Sequence, residues 1–370
     1  MKKFALFLFV SMFLFVFSAC QNNVMPQPSP SDPSATDSGA ADDTTGGTEP
    51  VTDTDIPESL SISDFFPIKQ DVRYVYSGEG NEYASYTVNI DYTSDKAVQQ
   101  RIDNGGTVAA KVITHTHGKL TETYFSGESY SRENCLDKSN KSEVLLMEPI
   151  AADTSWTLED GSVRIITDLS ALITTPLGDF MAIEVTTENK KSGSTTTDYY
   201  AKDIGLIKSI FNSDSYEVTS TLVEIAEDLP LTQTVRFYYP NPDAGTICYL
   251  DRELKFHTND VTGKVLATSY NEVPSGVEKV FTENTAINSL TVGEDGIVLI
   301  DLNQSFLSEM NAGSEYESMI LDCIANTFSG YYYTDKVILT IDGALYSSGH
   351  FVFGEGEFLQ ANTEGAVLLE

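Results

Sequence analysis

Three patterns of apolar and polar residues follow one another along the 370-residue chain. Positions 4–17 are apolar apart from Ser11, and positions 21–60 show no periodicity. From Ser61 to about Glu227 the alternation has the period of strands, in ten β-prone runs: 72–76, 83–92, 108–117, 120–125, 144–147, 163–166, 181–187, 197–201, 205–211 and 216–225. Turn residues such as Gly78-Glu79-Gly80, Asn104-Gly105-Gly106 and Asp160-Gly161 separate them. No long stretch there has helical period. Many strands at this spacing predict one antiparallel sheet, strongly curved or folded over on itself.

From Pro230 to Asn362 the pattern is mixed, so a separate core is expected beyond a boundary near Glu227–Pro230. Val235 to Tyr239 predicts a strand ending at Pro240-Asn241-Pro242-Asp243. Asn259 or Asp260 can cap a helix from Val261 to about Asn271, ahead of Pro274. Ile287 to Val292 and Ile297 to Leu302 predict a hairpin across Glu294-Asp295-Gly296. Ser314 and Glu317 fit a capping box. The helix it opens puts Tyr316, Met319, Ile320, Cys323, Ile324 and Thr327 on one face and leaves Glu315, Glu317 and Asp322 outward. Lys336 to Ile341 closes the region as a strand. The fold class expected is α+β: an antiparallel β-rich domain at 61–229 with a curved sheet, then a β-α-β-β-α-β domain at 230–362 with two helices on one sheet face. A tail follows at 363–370.

The apolar run near the start changes the picture of where the protein works. Lys2 and Lys3, the 14 positions 4–17 and Ser18-Ala19 have the three parts of a secretory signal peptide, residues 1–19. A span needs about 20 apolar residues, so a retained transmembrane helix is the weaker reading. Phe17-Ser18-Ala19-Cys20 resembles the lipobox of bacterial lipoproteins, with Phe17 where Leu is commonest. The resemblance implies a diacylglycerol on Cys20 and a lipid anchor on the outer face of the cytoplasmic membrane. An ordinary secreted protein cleaved after Ala19 is the alternative. Residues 20–60 read as a disordered tether, with six prolines, eight acidic residues and no Lys or Arg in 21–60.

Net charge is −33, a poor partner for nucleic acid or anionic headgroups. Besides Cys20, the cysteines Cys135, Cys248 and Cys323 are odd in number and show no CxxC spacing, so they predict buried apolar residues.

Within the second region, Val235-Arg236-Phe237-Tyr238-Tyr239-Pro240-Asn241-Pro242-Asp243, Val298-Leu299-Ile300-Asp301-Leu302, Ser305-Phe306 and Val337-Ile338-Leu339-Thr340-Ile341-Asp342-Gly343 resemble, in that order, the GerM (GerMN) domain. Ser348-Gly349-His350 and Gly356-Glu357-Phe358 are similar to an ending of clostridial-type members. The resemblance implies a non-enzymatic, extracytoplasmic lipoprotein module of Gram-positive bacteria, linked in some members to sporulation and germination. It departs from GerM in having one copy behind an unrelated β region. The ends of that β region, Phe65-Phe66-Pro67-Ile68 leading to 72–76 and 175–180 followed by 199–208, resemble β-rich modules of bacterial surface lipoproteins.

Candidate chemistry is sparse. His115 and His117, two apart on an expected strand, share a face and could hold a metal, but no third ligand has plausible spacing. His257 and His350 stand alone. No nucleophile elbow, zinc-protease or phosphate-loop motif occurs, and Asp137–Glu143 lacks the glycine of a calcium loop. Neither metal nor cofactor is expected. Tyr331, Tyr332 and Tyr333 cannot all point inward, which leaves at least one for a partner surface. Two functions follow. One is a non-catalytic scaffold of the cell envelope that docks an envelope protein or a second copy. The other is a ligand-binding lipoprotein whose β region holds a lipid, glycan or cell-wall fragment. A Tyr- and Phe-lined pocket inside the sheet favours the second, a filled core the first.

Overall fold

The computed structural model describes residues 60–369 other than Glu294; the leader, Cys20 and the tether lie outside them. No helix among the described residues is long and apolar enough to cross a membrane. The chain is mostly β.

A one-turn helix, α1 (Ile62–Phe65), opens it. Six strands follow: β1 (Arg73–Glu79), β2 (Tyr86–Thr93), β3 (Ala97–Asp103), β4 (Val108–Thr116), β5 (Lys119–Ser126) and β6 (Glu143–Met147). Six more complete the first region: β7 (Ser155–Thr157), β8 (Val163–Thr175), β9 (Gly178–Asn189), β10 (Ser194–Ala201), β11 (Gly205–Asn212) and β12 (Glu217–Ala226). All join one antiparallel sheet in the order β6-β5-β4-β3-β2-β1-β12-β11-β10-β9-β8-β7. The chain thus makes two meanders, and β1 pairs β12 to join them.

The sheet curls until its two end strands meet, and side chains close the seam. The Val144 carbonyl on β6 accepts from the Trp156 indole on β7 (3.0 Å) and from Arg164 Nη1 on β8 (2.7 Å). Arg164 Nη2 also pairs with Glu143 at 3.0 Å. Such closure removes most of the exposed edge that an open sheet carries. α1 lies across one end, with Ile62 and Phe65 buried in the same core as Leu146, Ile183 and Leu222. The Asp64 carboxylate caps it by accepting from Ser61 N and Oγ.

Each of the ten expected runs overlaps a strand of this sheet, and the structure adds β3 and β7. β3 hid from pattern reading because both its faces are covered. Gln99 and Arg101 are buried and direct their polar groups to the carbonyls of Glu133, Ser129, Tyr130 and Ser131.

The second region contains β13 (Leu231–Asn241), β14 (Thr246–Phe256), α2 (Thr262–Tyr270), β15 (Ile287–Val292), β16 (Val298–Leu302), α3 (Ser305–Ser308), α4 (Ser314–Tyr331), β17 (Lys336–Ile341), β18 (Ala344–Leu345), β19 (Leu359–Gln360) and β20 (Val367–Leu368). The order is β-β-α-β-β-α-α-β-β-β-β rather than β-α-β-β-α-β. The added strand β14 carries Asp251, Arg252 and Glu253, whose charges mask its alternation. Arg236 on β13 pairs with Asp251 across the ladder at 2.7 Å.

Nor is there a single sheet with helices on one face. β13-β14-β20 form one sheet and β15-β16-β17-β18 another, with β16 and β17 parallel and β19 paired to β17. α4 packs on β13 and also on β17 and β19. It is therefore buried on every side from Cys323 to Ser329, where a surface helix would show a single stripe. Phe237, Tyr270, Phe281, Phe306 and Phe328 form the aromatic centre of this core. Each such fully buried ring contributes about 1.5–3 kcal/mol.

Both expected helix caps are replaced. Gly313 and Val261 precede α4 and α2, and neither caps through a side chain. Asn259 and Asp260 bind Thr93 and the His257 amide instead.

Candidate ligand cavity in the curved sheet

Strand alternation sends every second residue inward, and in the curled sheet these positions surround a cavity of about 600 Å³. Its apolar lining includes Tyr74 and Tyr76 (β1), Tyr86, Val88 and Ile90 (β2), Val98 and Ile102 (β3), Ile113 (β4) and Tyr200 (β10), with Phe66 beyond α1. Tyr76 and Tyr86 stack with ring centres 4.5 Å apart and planes 18° from parallel. The Tyr76 hydroxyl donates to the Leu206 carbonyl at 2.7 Å. This volume lies in the range of small-molecule sites.

Charged side chains also point in. Lys111, Glu122, Lys141, Glu143 and Arg164 form an alternating ionic chain, with links of 3.1 Å (Lys111–Glu122), 2.6 Å (Glu122–Lys141), 2.9 Å (Lys141–Glu143) and 3.0 Å (Glu143–Arg164). Beyond it, Lys141, Glu143 and Arg164 also line a second cavity of about 420 Å³ among the hairpin tips.

Lys69, paired with Glu227 at 3.3 Å, and Asp198 on β10 bring the charged residues of the lining to seven. Asp198 accepts one hydrogen bond, from Ser209 Oγ at 2.6 Å. Burial pushes its pKa up, and Ser209, Arg164 and Lys111 only partly offset this. Burial likewise raises the phenols of Tyr86 and Tyr200, and the nearby Asp198 charge adds to both.

A second polar cluster joins the two regions. Arg132, on the loop between β5 and β6, is fully buried. It donates to the carbonyls of Asp260 (2.6 Å), His257 (2.8 Å) and Asp91. Its Nε lies 3.5 Å from Asp91 Oδ1, and Arg101 holds the other oxygen of that carboxylate at 2.9 Å. The guanidinium also sits over the Tyr92 ring, 4.3 Å from its centre.

Among known proteins, the second region has a counterpart. Residues 236–347 match the Germane family. That family is described as sporulation and spore germination, and the match spans β13 to β18. The tandem GerMN domains of the Bacillus subtilis sporulation protein GerM are similar at 20% identity, covering 35% of this chain and 46% of that one, with a TM-score of 0.28. The chain thus spans under half the length of that structure. A structure described as an exported protein of YmcC-like fold from Bacteroides fragilis is similar at 14% identity, over 44% of this chain and 99% of that one, with a TM-score of 0.30. For a lipoprotein structure from Clostridium perfringens the values are 17%, 34%, 90% and 0.22. No curated protein matches the sequence.

In the Germane region the tyrosine run divides. Tyr331 and Tyr332 are buried edge to face, ring centres 4.9 Å apart. The Tyr331 hydroxyl accepts from the Arg132 amide (3.1 Å) and donates to Gln233 (3.0 Å), which places it in the junction with the curved sheet. Tyr333 is 74% exposed, with a left-handed backbone (φ 56°), and its ring leans on Tyr130.

Glu317 does not face outward. It is 2% exposed and accepts from the Tyr346 hydroxyl (2.7 Å) and from His350 Nδ1 (2.6 Å). Burial pushes its carboxyl pKa up, but hydrogen bonds from Ser348, His350 and Tyr346 outweigh this and leave it lowered. The same side chain therefore cannot complete the capping box. His115 and His117 do not share a strand face either, because His117 sits in the left-handed hairpin turn after β4 (φ 53°). Cys135, Cys248 and Cys323 are buried free thiols. Sequence reading missed Asp198, Glu122 and Lys111. Their one available signal was a charged residue at inward parity, as Asp198 stands between Thr196 and Tyr200.

Proposed function

We propose that the chain is a non-catalytic lipoprotein of the cell envelope, connected with sporulation or germination. In this reading Cys20 anchors it outside the cytoplasmic membrane, the curved sheet holds an amphipathic ligand, and the Germane region is an interaction module. Retention in the membrane fraction should then depend on Cys20. The observation that carries the ligand part is the cavity of about 600 Å³, lined by tyrosines and aliphatic side chains, where a filled core would have spoken for a scaffold alone. The Germane match supports the connection with sporulation, and the exposed Tyr333 supports a docking surface.

The test is titration with the neutral fluorescent probe N-phenyl-1-naphthylamine. The protein should enhance its emission saturably, and Val88→Trp, which fills the lumen, should abolish the effect while the protein stays folded by circular dichroism. Equal enhancement by a folded Val88→Trp protein would rule the cavity out as the binding site.

A further inference from the structure

Building on the ligand reading, we propose that this cavity recognises an organic ammonium group, held by Asp198 beside the rings of Tyr76, Tyr86 and Tyr200. The other lining charges are already paired, Lys69 with the exposed Glu227 at 3.3 Å. Arg164 commits Nη2 to Glu143, Nη1 to the Val144 carbonyl and Nε to Thr187 Oγ1. Lys111 and Lys141 are paired with Glu122, and Lys141 with Glu143 as well. An anionic ligand would have to displace a carboxylate from one of these pairs.

Asp198 differs. Among the described residues it enters no ion pair, and Ser209 is the only side chain that donates to it. A half-buried acid with one hydrogen bond, near Arg164 and Lys111 but paired with neither, is stabilised when a further cation or donor reaches it. Its neighbours suit a cation: Tyr200 stands two residues along the same strand, Tyr76 and Tyr86 line the same cavity, and Tyr76 stacks on Tyr86. Aromatic faces attract ammonium groups most strongly where water is excluded. Val88, Ile90, Val98, Ile102 and Ile113 then accept the apolar body of the same ligand.

Three probes with one body and different heads test this on the full chain: 4-phenylbutylamine, 4-phenylbutanol and 4-phenylbutyrate. The amine should bind about tenfold tighter than the alcohol, as expected for a desolvated cation–aromatic and ionic contact. Asp198→Asn should bring the amine down to the alcohol's affinity and leave the alcohol unchanged, which also shows that the variant is folded. Alcohol binding with no preference for the amine, tighter binding of the butyrate, or an amine affinity unaffected by Asp198→Asn would overturn the ammonium site and leave the ligand reading standing. Binding by none of the three would overturn both. A lysine-bearing tripeptide and dihexanoyl phosphatidylethanolamine separate a peptide source of the ammonium from a lipid source. Loss of either one's binding in Asp198→Asn supports the site, and Asp198-independent binding of both counts against it.

Discussion

Asp198 costs the protein stability where it sits. Its pKa is raised on folding, so the folded state holds the proton more tightly than the unfolded chain and ionisation opposes folding. The penalty is present at neutral pH and disappears as pH falls through the raised value. Asp198→Asn should therefore melt at a higher temperature than the parent at pH 7. The gain in stability is about 1.4 kcal/mol for every tenfold by which folding tightens the proton, and it should shrink in acid. A variant less stable than the parent at pH 7 would mean that the Ser209 contact outweighs desolvation. The tyrosine run makes a second residue-scale test. Tyr331→Ala removes a buried ring and two junction hydrogen bonds and should cost about 3–5 kcal/mol. Tyr333→Ala should leave melting nearly unchanged and affect only docking. Equal destabilisation by both would make Tyr333 part of the core. The sequence showed that one of the three must face out, but which one depends on the turn after α4, where Tyr333 takes a left-handed backbone.

Among the elements, most strands announced themselves by alternation, but β3, covered on both faces, and β14, with charges at three successive positions, did not. β3 and β14 were hidden by polar residues whose partners come from distant loops and from the neighbouring strand, information that no local pattern holds. The capping box at Ser314 misled for the same reason: Glu317 is bound from Tyr346 and His350, about 30 residues onward. The cavity was illegible because Tyr76, Tyr86 and Tyr200 have the spacing of core residues, and only the curl of the sheet leaves space between them. The junction loop carries the clearest element-scale prediction. Arg132→Met removes the donors that the His257 and Asp260 carbonyls share and leaves Asp91 to Arg101 alone. Breaking a buried ionic cluster in this way costs about 3–5 kcal/mol. Calorimetry of the parent should give one transition, and the variant should separate into two, one per hydrophobic core. A single unshifted transition in the variant would show that Arg132 does not couple the regions.

At the scale of the whole molecule, the described residues place two large hydrophobic cores in one compact unit, in a curled twelve-stranded sheet and in the Germane region, linked through Arg132 and Tyr331. Coupling of this kind would make the proposed ligand site and the proposed docking module parts of one body. Ligand binding of the kind proposed requires that the lumen be the place a ligand occupies. The most direct measurement is a crystal structure with 4-(4-bromophenyl)butylamine bound, the bromine located by its anomalous scattering. The bromine is expected among Val88, Ile102 and Ile113, with the amine at Asp198. Bromine found only outside the curled sheet, with the lumen filled by the protein's own side chains, would contradict a ligand site there.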